Sequence, residues 1–271
     1  MNLAQIDSLI LVGAGKMGMA LARGWLKSGL KAKSLILIDP KPAQSVINFA
    51  KENDVSLLEE IPKISVEVLI LAVKPQIMQK VFTPIKATIN DATLVLSIAG
   101  GITISALING LGTNNIVRTM PNTPAQVGQG VTGAVAAFAV SEKDKNIAQA
   151  LMQASGLVQW FENEDDLEAL TLVSGCGPAY VFLLAEAMAN AGIEQGLNEK
   201  QAKILARQTI IGAAALLQDD PTDASILRKN VTSPGGITEA VLSVLMDKDG
   251  LPSLMSKAFI AGAKRNKDLG E

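Results

Sequence analysis

Through the first half of the chain, short apolar runs alternate with longer stretches of helical periodicity. Residues 9–12, 35–38, 68–72, 93–97 and 116–118 read as strands, and residues 16–28, 43–53, 76–82 and 103–107 as helices. Gly29 closes the first helix, Asp39-Pro40 closes the second strand and Lys74-Pro75 the third. Strands that are apolar almost throughout, separated by helices, predict a parallel sheet covered on both faces. Residues 131–139 and 158–161 are expected to extend that sheet at its edge. Past Asn163 the strand signal stops. Ala, Leu and Met recur at helical spacing over 166–174, 179–195, 199–217 and 237–246, with a last helix over 251–267.

This change of texture places a domain boundary at 164/165, giving an α/β domain over 1–164 and an all-helical domain over 165–271. The later helices are apolar over wide faces, as in Ala213-Ala214-Ala215-Leu216-Leu217. Helices of that kind in a domain of about a hundred residues often complete their core against a second subunit, which predicts an intertwined dimer. A self-contained bundle packed on the first domain is the alternative.

Composition narrows the classes. In 271 residues, 48% are hydrophobic and 18% charged, which argues against disorder. The net charge of −2 and the absence of a basic run give no support to nucleic-acid or anionic-membrane binding. The one basic cluster, Lys264-Arg265-Asn266-Lys267, reads as a solvated helix end. The N-terminal stretch from Met1 lacks a charged leader and a signal-type apolar core, and the apolar stretches are too short to span a bilayer, so the expected compartment is the cytoplasm. A single cysteine, Cys176, excludes an intramolecular disulfide and a multi-cysteine metal site, and no metal is expected. There is no histidine. Any chemistry must use hydroxyls, lysines, carboxylates, backbone groups or a cofactor.

Gly13-Ala14-Gly15-Lys16-Met17-Gly18 follows a predicted strand and opens a helix, which is the setting that makes G-x-G-x-x-G a dinucleotide-binding fingerprint. Gly13 permits a tight turn, Gly15 lets a pyrophosphate approach the backbone, and Gly18 lets helix and strand pack closely. The fold class is therefore α/β, an N-terminal Rossmann domain followed by a helical domain. Asp39, at the end of the second strand, is placed to accept hydrogen bonds from an adenine-side ribose, favouring NADH. Lys41 just beyond it could instead pair with the 2′-phosphate of NADPH, and Asp39 could simply initiate the turn at Pro40. Lys74 and Pro75, and Met120-Pro121-Asn122-Thr123-Pro124, follow later strands and should line the same crevice; Asn122 and Thr123 suit a nicotinamide carboxamide or ribose. In the helical half, Ser174-Gly175-Cys176-Gly177-Pro178-Ala179 interrupts a helical run. The segment from Val231 through Ser233-Pro234-Gly235-Gly236-Ile237-Thr238 to Glu239 links two helices. A glycine-rich turn into a helix presents N–H groups to an anion, and Ser233 and Thr238 add hydroxyls. With no lysine following as in a P-loop, a small carboxylate fits better than a phosphate; simple helix capping explains the same residues without a ligand.

Taken together these segments resemble the pyrroline-5-carboxylate reductase family over essentially the whole chain. The resemblance is carried by Gly13–Gly18, Ala72-Val73-Lys74-Pro75, Met120–Pro124, Ser174 to Tyr180 and above all Thr232 to Thr238. It implies a dimerisation domain in the helical half, commonly assembled into a pentamer of dimers, and NADPH- or NADH-dependent reduction of 1-pyrroline-5-carboxylate to L-proline. It also implies that Ser233, Gly235, Gly236 and the Ser174-Gly175 break face the substrate, that Thr238 lies near the ring nitrogen as the catalytic hydroxyl, and that Ala99, Gly100, Asn122 and Thr123 lie near the nicotinamide. Three residues depart from the family pattern: Cys176 stands where serine is usual, Lys229 where an acid is common, and Asp39 is unusual for members that prefer the phosphorylated cofactor. A β-hydroxyacid dehydrogenase shares the domain plan but relies on a lysine after its glycine-rich break, and here none occurs before Lys200. A non-catalytic dinucleotide sensor would need Gly13–Gly18 but not Ser233–Thr238.

Overall fold

The computed structural model describes residues 2–270; Met1 and the side chain of Lys267, on which part of the N-terminal and basic-cluster readings rest, lie outside the described set. The chain divides into two compact units, one running to Gly175 and taking in the residues from Asn266, the other Cys176–Arg265.

The first unit holds eight strands: β1 (Leu9–Val12), β2 (Leu35–Ile38), β3 (Ser56–Leu58), β4 (Val68–Leu71), β5 (Leu94–Ser97), β6 (Ile116–Pro121), β7 (Gly130–Ala136) and β8 (Gly156–Trp160). Its helices are α1 (Lys16–Lys27), α2 (Gln44–Asn53), α3 (Pro75–Lys86), α4 (Ile104–Leu111), α5 (Glu142–Gln153) and α6 (Glu164–Leu170). The strand order is β3-β2-β1-β4-β5-β6-β7-β8, with β1 to β6 all parallel. From β1 the chain works outward to β3 and then restarts on the other side at β4, so the switch point lies between β1 and β4. Every residue of β1, β4 and β5 is buried, as expected for central strands covered on both faces.

The sheet is not parallel throughout, which corrects the sequence-based expectation: β7 runs antiparallel to β6. Residues 122–129 are too few for the crossover that a parallel neighbour needs, and they form a short 3-10 turn closed by Gly128 in the left-handed region. From β7 the chain crosses through α5 and returns parallel as β8. The sequence reading missed α5, although Ser141 caps it by accepting the Asp144 N–H and Ile147, Ala148, Leu151 and Met152 form its buried stripe. Trp25 of α1 is fully buried and its indole N–H donates to the Leu151 carbonyl at 2.8 Å, tying α1 to α5. The first helix ends as predicted at Gly29, where the Leu30 N–H reaches back to the Trp25 carbonyl.

One charge lies within this core. Arg118 of β6 is 4% exposed, and its guanidinium donates to Glu164 Oε1 at 2.6 Å. The same oxygen accepts the Ile104 N–H at the start of α4. Glu164 therefore fastens the first turns of α4 and α6 to β6. A lone arginine in an apolar strand is the sequence signal for such a buried partner.

The second unit holds α7 (Gly177–Glu194), α8 (Glu199–Asp219), α9 (Ala224–Asn230), α10 (Ile237–Leu245) and most of α11 (Leu251–Gly270). Its buried cluster consists of Ala189, Ala202 and Ala206 alone, where α7 meets α8. Phe182 is 70% exposed, and Leu183, Leu205, Leu216, Leu217, Val244 and Ile260 are exposed with it. The expected interruption at 174–179 takes the form of a widened helical turn followed by a bend at Cys176, which caps α7. Thr171–Gly175 is a π-helical turn, and the helical run continues from Glu164 to Glu194. At 31 residues that run is long and apolar enough to cross a membrane by length and composition, which corrects the expectation that no segment is. Three acids in its first turn, Glu164, Asp165 and Asp166, and its place in a helical set with hardly any core favour cover by protein.

Candidate active site

Five candidate segments follow directly on the carboxyl ends of parallel strands: 13–18 after β1, 39–41 after β2, 72–75 after β4, 99–100 after β5 and 122–123 after β6. The topology therefore brings them to one edge of the sheet, the edge at which open α/β sheets bind ligands. At the switch point the backbones pass very close. Gly13 has φ +101°, and a Cβ there would lie 2.8 Å from the Ala72 carbonyl oxygen. A Cβ at Gly18 would lie 2.4 Å from the Gly13 carbonyl oxygen. At Gly15 an added Cβ would meet nothing within 4 Å. Its freedom from a side chain keeps a space open without being needed for packing.

The donors around that space are uncommitted. The N–H groups of Gly15, Lys16, Met17 and Gly18 have no partner among the described residues, whereas Gly13 donates to the Ile38 carbonyl and Ala14 to Asp39. Free N–H groups at the start of a twelve-residue helix, over a glycine with open space above it, fit a dinucleotide pyrophosphate. Lys74 caps α3 with Pro75 in its first turn, and Lys74 is exposed. Ala72 donates its N–H to the Val12 carbonyl, and Ala99 is buried beside Gly100 and the positive-φ Gly101.

Asn122 does something the sequence did not reveal. It is 7% exposed, its Oδ1 accepts the Val131 N–H at 2.8 Å, and its Nδ2 donates to the Ser174 carbonyl at 2.9 Å. That carbonyl is free because Pro178, four residues on, has no N–H to give it. Asn122 is thus a clasp between β6, β7 and the π turn. Thr123 beside it is exposed, and its hydroxyl has no partner among the described residues. The Ser174 hydroxyl is engaged by the Leu170 carbonyl at 3.1 Å, and Gly175 lets the turn pass Thr171, whose methyl would lie 3.3 Å from an added Cβ.

In the second unit, Ser233 to Gly236 form a turn closed by the Gly236 N–H on the Ser233 carbonyl at 3.0 Å, with Gly235 at φ +70°. The Gly235 N–H is also engaged, by Glu239 Oε2 at 2.7 Å. Neither glycine therefore offers its N–H, contrary to the simplest picture of a glycine-rich anion cradle. The free donors are one step further on: the N–H groups of Ile237, Thr238 and Glu239 in the first turn of α10 have no partner among the described residues. The hydroxyls of Ser233 and Thr238 are uncommitted as well, whereas that of neighbouring Thr232 is bonded to the Arg228 carbonyl at 2.7 Å. Glu239 was missed by the sequence reading, although a glutamate in the third position of a helix is the signal for a side chain that reaches back over the cap. Tyr180 lies one turn beyond Cys176 and its ring is 6.1 Å from that of Phe259. Desolvation and then the Cys176 thiol raise the Tyr180 phenol above its ordinary pKa, so it stays protonated at neutral pH. Among the described residues no cluster of His, Cys, Asp and Glu could hold a metal ion.

Fold and strand-edge donors define a dinucleotide-binding oxidoreductase, and comparison with known proteins makes this specific. A family model described as pyrroline-5-carboxylate reductase dimerisation matches residues 164–269, and one described as NADP oxidoreductase, coenzyme F420-dependent, matches residues 8–101. The pyrroline-5-carboxylate reductase of Haemophilus influenzae is 38% identical over 267 residues, taking in 96% of this chain and 97% of that protein. The structure of a pyrroline-5-carboxylate reductase from Coxiella burnetii matches with a TM-score of 0.91 at 33% identity, covering 98% of this chain and 100% of that one. The pyrroline carboxylate reductase of Plasmodium falciparum, solved with NADP bound, matches with a TM-score of 0.83 at 30% identity over 98% of this chain and 99% of that one. The chain belongs to the pyrroline-5-carboxylate reductase family.

The glycine geometry separates folding from binding. Gly15→Ala is expected to melt within a degree or two of the parent yet bind reduced dinucleotide at least tenfold more weakly by calorimetry. Gly18→Ala, whose methyl would strike the Gly13 carbonyl and crowd the Leu11 and Ala72 side chains, is expected to lose about 2 kcal/mol of stability in urea unfolding at fixed protein concentration.

Proposed function

We propose that this protein catalyses the NADPH- or NADH-dependent reduction of 1-pyrroline-5-carboxylate to L-proline, the final step of proline biosynthesis, in the cytoplasm. The observation that carries the reading is the Ser233–Thr238 turn. It combines three unpaired N–H groups with two uncommitted hydroxyls in a chain whose other unit holds a dinucleotide cradle. A sensor would need the cradle alone. On this reading residues 1–164 form the cofactor domain and 165–271 the substrate and dimerisation domain.

When bound, the reduced nicotinamide supplies a hydride to the imine carbon, and the ring nitrogen gains a proton. The protein's part is holding and orienting. The first-turn N–H groups of α10 and the Ser233 hydroxyl bind the substrate carboxylate. Gly235 and Gly236 give the turn its shape, and Glu239 holds that shape by bonding the Gly235 N–H. Thr238 lies one residue into the helix, so its hydroxyl directs the ring nitrogen and relays the proton through water. Ser174 and Gly175 contribute the contour of the π turn on the substrate side. On the cofactor side, residues 13–18 hold the pyrophosphate, Asp39 and Lys41 meet the adenine-side ribose, and Ala72, Val73, Lys74 and Pro75 support the crevice. Ala99, Gly100, Asn122 and Thr123 attend the nicotinamide end, Thr123 with a free hydroxyl and Asn122 through the backbone it clasps. An imine that is protonated before hydride arrives needs no strong acid from the protein, which is why a chain without histidine suffices.

The apolar helices of the second unit favour a homodimer built through them, with a pentamer of dimers as the larger assembly. A three-alanine core cannot hold five helices together, so the faces carrying Phe182 and Leu205 are covered by a partner copy.

Two measurements follow. Reduced-cofactor absorbance should fall when 1-pyrroline-5-carboxylate is added, and Thr238→Ala should lower kcat at least tenfold with the cofactor Kd unchanged; folded protein that binds cofactor but turns over no substrate would remove the reductase reading. Sedimentation of the intact chain should show a dimer or a multiple of it, and Phe182→Asp should shift the distribution to smaller species with loss of helical signal. A stable wild-type monomer would contradict the dimer.

A further inference from the structure

The carboxylate of Asp39 is fixed at both oxygens. Oδ2 accepts the Ala14 N–H from within the glycine-rich loop at 3.2 Å, and Oδ1 accepts the Lys41 N–H at 2.9 Å from the turn that follows β2. The Asp39 N–H is itself bonded to the Leu58 carbonyl of β3 at 3.0 Å. The side chain is half-buried, and Pro40 and Pro42 stiffen the backbone on either side of Lys41. Asp39 is therefore both a turn-former and a strap across the cofactor loop, and it has no freedom to swing away from the end of β2 while those bonds hold.

In a dinucleotide-binding fold, the acid at this position meets the adenine-side ribose and accepts hydrogen bonds from its free hydroxyls. A ribose that carries a 2′-phosphate would bring two negative charges against this carboxylate. Accommodating it takes either retreat of the acid or a cation in the same place. The two amide bonds oppose retreat. The nearest cation in sequence is Lys41, whose N–H is used by Asp39 and whose exposed side chain makes no ion pair with that carboxylate. A lysine on an exposed stem is a mobile, hydrated point charge and lacks the planar fork with which arginine grips a phosphate.

We propose that Asp39 makes this protein select NADH over NADPH, in contrast to the NADP named for the matching oxidoreductase model and seen bound in the Plasmodium enzyme. The selection rests on the dinucleotide-binding part of the proposed function and is independent of its substrate. Each cofactor supplies the same hydride, so the choice lies wholly in binding at the ribose.

The test is calorimetric titration of the intact protein with NADH and with NADPH, without substrate. NADH is expected to bind at least tenfold more tightly. Asp39→Ser should reduce that ratio at least tenfold, mainly by tightening NADPH. Asp39→Asn keeps an acceptor for the loop amide while removing the charge, so it should tighten NADPH with the melting temperature held, which separates selection from folding. NADPH binding as tightly as NADH to the parent protein would overturn the proposal and give the position to Lys41. An unchanged ratio in both variants would overturn it too. NADH selectivity without turnover of 1-pyrroline-5-carboxylate would support the inference while removing the reductase reading, whereas failure to bind either dinucleotide would overturn both.

Discussion

The first unit depends on how closely three stretches of backbone can approach at the switch point of the sheet. β1 turns into α1 directly over the chain leaving β4, and the turn closes only because hydrogen stands at positions 13 and 18 where any side chain would strike a carbonyl. From that contact the rest follows. It sets the start of α1 over the carboxyl edge, aims free N–H groups into the space above Gly15, and puts the Ala14 N–H within reach of Asp39 at the end of β2. Steric necessity at two glycines thus produces an electrostatic feature, a concentration of unpaired donors beside a fixed carboxylate. The same edge is braced further along by neutral and charged polar links: Asn122 holds β6, β7 and the π turn, while Arg118 and Glu164 hold β6 to the starts of α4 and α6.

The second unit is built on the opposite principle. Its helices bury three alanines among themselves and leave large apolar side chains outside. Conformational entropy of about 1–2 kcal/mol per ordered residue cannot be offset by so small a core. Stability for this part of the chain must come from association, and the family's dimerisation region spans the same residues. Within the helices, the order-imposing elements are again points where an ordinary helical bond is missing. Pro178 frees the Ser174 carbonyl, and the first turn of α10 leaves its N–H groups unpaired. The first vacancy is filled by Asn122, and the second is where the proposed function puts the substrate carboxylate.

Much of this was legible in the sequence for definite reasons. Fully buried parallel strands such as β1 and β4 are apolar at every position, so they stand out, and G-x-G-x-x-G has meaning once it is flanked by strand and helix. The antiparallel turn to β7 was not recognised because α5 was missed, and without it the short 122–129 connection carried no topological weight. The interruption at 174–179 was legible from its glycines and proline, but its form, a π turn whose Ser174 carbonyl meets Asn122, was not. The roles of Asn122 and Glu239 were hidden for a related reason. Both side chains bond backbone groups whose availability depends on local geometry, and residue type alone does not report it. The glycine-rich turn was expected to present backbone N–H groups to an anion; in the structure those of Gly235 and Gly236 are engaged within the turn, and those of residues 237–239 are unpaired.

The central claim is that this chain moves a hydride from a nicotinamide to a cyclic imine whose carboxylate is held by the Ser233–Thr238 turn. The most direct measurement is to run the reaction with cofactor deuterated at the transferable C4 position and locate the label in the product by mass spectrometry and NMR. The account predicts a single deuteron on the δ carbon of L-proline, the former imine carbon. Proline without label, or label at the α carbon, would contradict direct hydride transfer to the imine and with it the functional reading of the site.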